Sequence, residues 1–520
     1  MGKPTIVKAS KRGRIPIPAL VLTVIFLVAL AYRLSRFPEN IYFGYDQARD
    51  AYESQRIYRE RDLILLGPRT EVDGVFHSPL YYYIIGPLYL LQNGLPYLPV
   101  AFLLLVNALG VFLIYRVGVI LFDKSVGLIS ALIYAFSFEQ YQYAYYLSHP
   151  SLATTAVLVF YFGLALIAFR RIDWGWYIAV LGLALALHFE LILVYLIPTF
   201  VVFIISFRLF KLTRRRSTII LAFCLLGLLM IPYFIPELQY DFRATKALLS
   251  FARSSSKVPE LMSLLRLAFD KYSLHMYLNI LGLSRTGSAF LVVAGFLFLI
   301  RAKTAKTSLR FLLFWILGPL FLYVSSSQPV LFFFTNMGIS SAFILLASYA
   351  LTRIGRSPTL RLLLLSIVLA GNLQLWMRYG SQGLVNGWLA VQDGMLLVDE
   401  IRAVNYTYSS AAGEPFEIKV LSMPLKIQTT WSYLYQTFGL PRYGYLPSSV
   451  YGDALGFYGH FPAPSADTCF RYLVSEPRRG IADWFTSEFY NEEEGVRPIL
   501  ELKRFGSIEI QKRISKTCNP

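Results

Sequence analysis

The chain has 520 residues, of which 56% are hydrophobic and only 15% charged, and its mean hydropathy is +0.52. A soluble protein of this length needs a far more polar surface, so the composition excludes that class and points to repeated membrane spans. The net charge of +18, from 49 basic against 31 acidic residues, gathers in short acid-free clusters. That distribution marks cytoplasmic loops and argues against nucleic acid as a partner.

Taken in chain order, Lys3, Lys8, Lys11, Arg12 and Arg14 precede a first apolar run over 16–35. Ala29 and Ala31 offer a small-x-small cleavage pattern, but the length of the run favours an uncleaved helix. Ten further spans are expected near 97–121, 125–145, 151–169, 174–188, 190–207, 217–235, 288–300, 309–326, 331–352 and 359–377. Eleven spans that begin inside leave the C-terminus outside. The clusters Arg208/Lys211/Arg214/Arg215/Arg216, Arg301/Lys303/Lys306/Arg310 and Arg353/Arg356/Arg361 then all lie inside, as the positive-inside rule requires.

The stretch "PLYYYIIGPLYLLQN" over 79–93 would reverse every later loop if it crossed the bilayer, and its apolar core is short. It is expected as an interfacial or re-entrant helix, with Tyr81, Tyr82, Tyr83 and Tyr89 at headgroup depth. Residues 1–378 therefore form a membrane domain with outer loops over 36–96 and 236–287. The second loop includes the helix-like "PELMSLLRLAFDKYSLHMYLNIL". Residues 379–520 read as a small α/β domain outside the membrane. Strands are expected at "FEIKVLSM", "CFRYLVSE" and "SIEIQKR", and helices at "TTWSYLYQTFG" and "IADWFTSEFYNEEE", with Thr429 as an N-cap. Cys469 and Cys518 either pair or remain free thiols, and Cys224 lies in an apolar run.

The chemistry concentrates after the first span, in "YFGYDQARDAYESQRIYRERD" from Tyr42 to Asp62. A helix beginning near Asp46 puts Arg49, Glu53, Arg56 and Glu60 on one charged face. Ala48, Ala51 and Tyr52 form a small apolar side suited to the membrane surface. Asp46 at the helix start is either an N-cap or a carboxylate placed above the spans as a general base.

"YDQARDAY" followed by "LLGPRTEVDGVFHSPLYYYIIGPLYLL" resembles the polytopic GT-C glycosyltransferases. The similarity is to the family-39-like enzymes, which include protein O-mannosyltransferases and lipid A aminoarabinose transferases. The architectural resemblance covers roughly 15–380, while its specific motifs lie within 42–90. In that family an acid of the first outer loop, commonly in an Asp-Glu pair, serves as catalytic base, and the matching position is Asp46. The second acid of the pair is Gln47 here, which weakens a paired-carboxylate role or a metal site there and leaves Asp50 or Asp73 as substitutes. The family's Lys/His-x-Pro-Leu-Tyr-Tyr element matches His77, Pro79, Leu80, Tyr81 and Tyr82.

The resemblance implies an inverting transfer of a sugar from a polyprenyl-phosphate donor to an acceptor hydroxyl on a lipid, glycan or protein, at the outer face of a cell membrane. Arg49, Arg69 and His77 are the candidate phosphate ligands, unless they simply pair with Glu53, Glu71 or Asp73. Asp73, Tyr81 and Tyr82 are candidate substrate contacts. His188 and Glu190 join them because ionisable groups at a span junction are commonly functional. No HExxH or CxxC occurs, so no bound metal or other cofactor is expected, although a divalent ion remains open. All five histidines, His77, His149, His188, His275 and His460, fall on the outer side or its edge. Trp431, Tyr433, Tyr435, Tyr443 and Tyr445 either stack on an acceptor sugar or pack the core of the small domain. The rival readings are a transporter of lipid-linked sugars, which commonly shows inverted repeats absent here, and a metal-dependent oligosaccharyltransferase.

Overall fold

The computed structural model describes residues 17–520 apart from 71, 255–259, 302–303, 326–332, 355–356, 385–391, 393, 452–457, 464–467, 516–517 and 519–520. The first basic cluster, Glu71, Lys303, Arg356 and the start of the expected span 331–352 lie outside the described residues. Among those residues the chain is mainly α-helical, with one small sheet near its C-terminus.

Four helices are long and apolar enough to cross a membrane: 97–121, 150–170, 306–323 and 358–379. A fifth candidate is the pair Arg216–Leu229 and Ile231–Gln239, bent by 51°. The remaining expected spans appear largely as shorter apolar helices over 18–34, 124–136, 175–189, 191–206 and 339–353. The expected span 125–145 is corrected. Ser137 breaks it by capping a second helix, Phe138–Tyr145, through Gln140 N–H, and every residue of that second helix is buried.

Small residues set the closest helix approach. A Cβ on Gly163 would strike the backbone of Ala179, and one on Gly182 the backbone of Phe160. Helices Pro150–Ala165 and Gly175–Phe189 therefore pack backbone to backbone, as lipid-embedded helices do where small residues meet. Buried polar groups tie the bundle together. Arg33 donates from Nε to Asn107 Oδ1 at 2.8 Å and from Nη1 to the Ala135 carbonyl at 3.0 Å.

The stretch after Pro79 forms the 11-residue helix Leu80–Leu90. It spans about 16 Å at 1.5 Å per residue, too short to cross a bilayer. The expectation that its tyrosines face the headgroups is corrected. Tyr81, Tyr82 and Tyr89 are buried in protein, because this helix packs against Tyr45–Glu60 and the start of Tyr97–Leu121.

Five strands form the C-terminal sheet: β1 (Phe416–Leu421), β2 (Ser448–Ser449), β3 (Phe470–Ser475), β4 (Ile499–Phe505) and β5 (Ile508–Ile514). Their order is β2-β1-β3-β5-β4, with β1 parallel to β2 and β3, and β5 antiparallel to β3 and β4. The helices Thr429–Leu434 and Asp483–Asn491 lie where the sequence places them. Gln428 rather than Thr429 precedes the first of them, and no side chain caps it. Cys469 and Cys518 form a disulfide that ties β3 to the end of β5.

Candidate functional site

The charged segment after the first span folds as the helix Tyr45–Glu60. Gly44 begins it in an extended conformation, and its N–H donates to Gln47 Oε1 at 3.1 Å. Gln47 Nε2 donates to the Leu147 carbonyl at 3.3 Å. The residue that departs from the family's Asp-Glu pair thus holds the helix start to the bundle, in a buried place where an unpaired charge would be costly. Asp46 is therefore a first-turn residue and not the N-cap. The expected placement of Ala48 and Ala51 on the membrane surface is also corrected, since both are fully buried against protein.

Arg49 forks between two carboxylates. Its Nη1 lies 2.7 Å from Asp46 Oδ1, and its Nη2 and Nε lie 2.8 and 3.0 Å from Asp50 Oδ1. Asp46 is 52% exposed and Asp50 only 1%. Tyr82 from the His-x-Pro-Leu-Tyr-Tyr element donates its hydroxyl to the same Asp50 oxygen at 3.1 Å. Asp50 Oδ2 is buried with no hydrogen-bond partner among the described residues. Burial pushes this carboxyl up from 3.8 to about 6, with Arg49 opposing the shift and the Asp46 charge adding to it. Two carboxylates one turn apart thus sit in different surroundings, one wet and one dry.

Beside this fork lies an open cavity of about 680 Å³. Arg49, Arg56 and Arg69 supply its positive charge, Leu63, Leu66, Pro236 and Tyr240 an apolar side, and Tyr45 and Tyr458 aromatic faces. Arg56 is occupied by Glu53, Glu60 and Asp62. Arg69 is exposed on a short hairpin in which Gly67 N–H donates to the His77 carbonyl at 2.9 Å and His77 N–H to Pro68 at 2.8 Å. Gly67 is needed there, since a Cβ would lie 2.5 Å from the Ser78 carbonyl oxygen. Tyr458 reaches the cavity from the C-terminal region and stacks near Tyr52, with centroids 6.3 Å apart.

A second polar cluster lies deeper. His77, from that hairpin, His149, just before helix 150–170, and Glu190, in the break between helices 175–189 and 191–206, bring one ligating atom each within 4.8 Å of the others. His77 Nδ1 is 4.0 Å from Glu190 Oε1, and His149 Nδ1 is 3.8 Å from Glu190 Oε2. Tyr146 is within electrostatic reach of Asp46, Glu190 and Asp50 together, so the two clusters share one region.

The structure thus brings Asp46, Arg49, Arg69 and Tyr82 to the cavity or its edge, and gathers His77 and Glu190 next to it. Tyr81 is buried with its hydroxyl unpartnered, near the His149 ring. Asp73 sits exposed at the hairpin tip and does not line the cavity. His188 spends both ring nitrogens on Ser78 Oγ at 2.7 Å and the Leu229 carbonyl at 2.8 Å. Sequence reasoning left Asp50 only as a substitute and gave no role to His149 or Tyr458. Asp50 is four residues after Asp46, so helical spacing alone places both on one face. Nothing in the sequence pairs Tyr458 with Tyr52.

Residues 76–238 match the dolichyl-phosphate-mannose-protein mannosyltransferase family, a range that holds the His77–Tyr82 element but not Asp46. No curated protein matches the chain in sequence. Among solved structures, ArnT from Cupriavidus metallidurans in the apo state superposes with a TM-score of 0.56 at 12% identity, covering 96% of this chain and 99% of that one. The same ArnT bound to undecaprenyl phosphate gives 0.55 at 11% identity over 97% and 98%. Archaeal oligosaccharyltransferase AglB from Archaeoglobus fulgidus, in complex with an inhibitory peptide and a dolichol-phosphate, gives 0.48 at 11% over 97% of this chain and 75% of that one. The chain thus has the GT-C fold it shares with ArnT over nearly its whole length, and residues 76–238 match a mannosyltransferase family model.

Proposed function

We propose that the chain moves one sugar from a polyprenyl-phosphate donor to an acceptor hydroxyl, with inversion at the anomeric carbon, on the outer face of the membrane. The observation that carries this reading is the Arg49 fork. One guanidinium borders a cavity large enough for a sugar phosphate and also holds a solvent-facing carboxylate within 2.7 Å.

Asp46 takes the proton of the acceptor hydroxyl, and the acceptor oxygen attacks the anomeric carbon from the opposite side to the phosphate. The bond between that carbon and the phosphate oxygen breaks, and the electron pair leaves with the lipid phosphate. Arg49 and Arg69 receive the charge that develops there, since guanidinium groups suit phosphate oxygens. The apolar side at Leu63, Leu66 and Tyr240 suits the first isoprene units, and Tyr45 and Tyr458 offer faces for the sugar ring. ArnT's bound undecaprenyl phosphate is the same class of lipid as the donor named here.

In this reading the N-terminus is cytoplasmic and the C-terminal sheet extracytoplasmic, where the Cys469–Cys518 disulfide would persist. The test is transfer from radiolabelled polyprenyl-phosphate sugars by the purified chain, wild type against Asp46→Asn. Loss of transfer in a well-folded variant is the expected result. Full activity in that variant, or no transfer from any donor by the wild type, overturns the reading.

A further inference from the structure

We propose that His77, His149 and Glu190 bind one divalent transition-metal ion of the zinc type, at a site separate from the Arg49 cavity. Nothing in the sequence pattern announces it, because the three ligands come from three distant segments.

Three observations carry the proposal. The ligating atoms already converge to within 4.8 Å of one another. Around a tetrahedral zinc with bonds near 2 Å, ligand atoms stand about 3.4 Å apart, so closure from within 4.8 Å needs a contraction of about 1.4 Å at most. His77 Nδ1 is buried and has no hydrogen-bond partner among the described residues, although a buried polar atom ordinarily has one. Nδ1 of His149 meets the Phe189 carbonyl at 2.5 Å. A backbone carbonyl that holds one ring nitrogen protonated leaves the other as the basic one, the usual support for a ligating imidazole.

The donor set selects the ion. Two imidazoles and one carboxylate are the ligands of zinc sites that keep a fourth position open, whereas magnesium and calcium favour all-oxygen sets. A bound ion would also supply a positive partner for buried Glu190, whose only hydrogen bond among the described residues is a 3.4 Å contact from Ile192 N–H.

The ion would fasten the hairpin carrying Arg69 to the outer ends of helices 150–170 and 175–189. His77 lies five residues before Tyr82, which holds Asp50, so the ion positions one wall of the cavity and takes no step in the transfer.

The test uses the full chain, purified in detergent with any histidine tag removed, incubated with zinc and then desalted. Elemental analysis is expected to find about one zinc per chain in wild type and in the control His460→Ala, which alters an exposed imidazole. His77→Ala and the near-isosteric Glu190→Gln are each expected to retain less than about a tenth of that. Substitution with cobalt(II) is expected to give visible absorption bands in wild type that Glu190→Gln lacks. If His77→Ala fails to fold, Glu190→Gln decides the matter. Equal zinc in wild type and a folded Glu190→Gln overturns the proposal, and the cluster is then held by a proton shared between Glu190 and His77. Metal content needs neither donor nor acceptor, so this result stands apart from the reading of the transfer reaction.

Discussion

The hydroxyl of Tyr82 donates to Oδ1 of Asp50 across 3.1 Å, and this bond fastens the His-x-Pro-Leu-Tyr-Tyr element to the helix that carries Asp46. The same oxygen accepts Nε and Nη2 of Arg49. Asp50 is thus the anchor that aims Arg49, although burial costs its charged form more than Arg49 and Tyr82 return.

A pH dependence follows. The folded chain holds the Asp50 proton up to about pH 6, against 3.8 when unfolded. The contribution to stability is therefore full below 3.8 and is lost as pH rises through 6, by about 3 kcal/mol. Activity runs the other way, because a neutral Asp50 releases Arg49. Transfer by wild type is expected to fall between pH 7 and 5. Asp50→Asn, fixed in the neutral form, is expected to be weak and flat over that range. A pH–rate series on both proteins checks this, and an unchanged acid limb in Asp50→Asn would sink the assignment.

Asp46→Asn separates chemistry from folding. The side chain is half exposed and its pair with Arg49 lies at the surface, where such pairs are worth about 1 kcal/mol or less. Thermal unfolding is expected to move by only a few degrees, while transfer falls about 10²- to 10⁴-fold, the range for a lost general base. A proportionate loss of both would return Asp46 to a structural role.

Arg49 and Arg69 are expected to respond differently. Arg49→Lys keeps the charge but cannot fork between Asp46 and Asp50. It leaves Asp50 short of donors, so stability falls by about 1–3 kcal/mol along with transfer. Arg69→Ala alters an exposed side chain, and it is expected to raise the KM for the donor about tenfold with unfolding unchanged. Steady-state kinetics alongside a denaturation curve distinguish the two.

The helical class and the small sheet with three of its strands were legible because periodicity and turn residues are local signals. The break at Ser137 was not, since its cause is a cap inside an otherwise continuous apolar run. Tyr81, Tyr82 and Tyr89 look the same to a sequence reader whether they face headgroups or protein, and only the packing of Leu80–Leu90 decides. Asp46 and Arg49 are candidates from spacing and resemblance, and the fold brings them together. The histidine cluster escaped because His77, His149 and Glu190 are separated by tens of residues and meet only in the fold.

The C-terminal region bears on the site through a clamp absent from every local pattern. Tyr433 accepts a hydrogen bond from Gln55 Nε2 at 2.8 Å and donates to the carbonyl of Gly94. It thereby joins helix Tyr45–Glu60 and the turn at Gly94 to helix Thr429–Leu434. Gly94 has φ +91°, and an added Cβ would lie 2.7 Å from Thr437, so Gly94→Ala is both strained and crowded. Tyr433→Phe leaves the buried Gly94 carbonyl without that donor, at a cost of about 1–3 kcal/mol. If the clamp acts as a unit, combining Tyr433→Phe with Gln55→Leu costs less than the sum of the two, by about 0.5–3 kcal/mol. Denaturant unfolding of the four proteins in the cycle measures this. Strict additivity would show that the C-terminal region packs on the first loop without holding it, and the acceptor KM of Tyr433→Phe should then equal that of wild type.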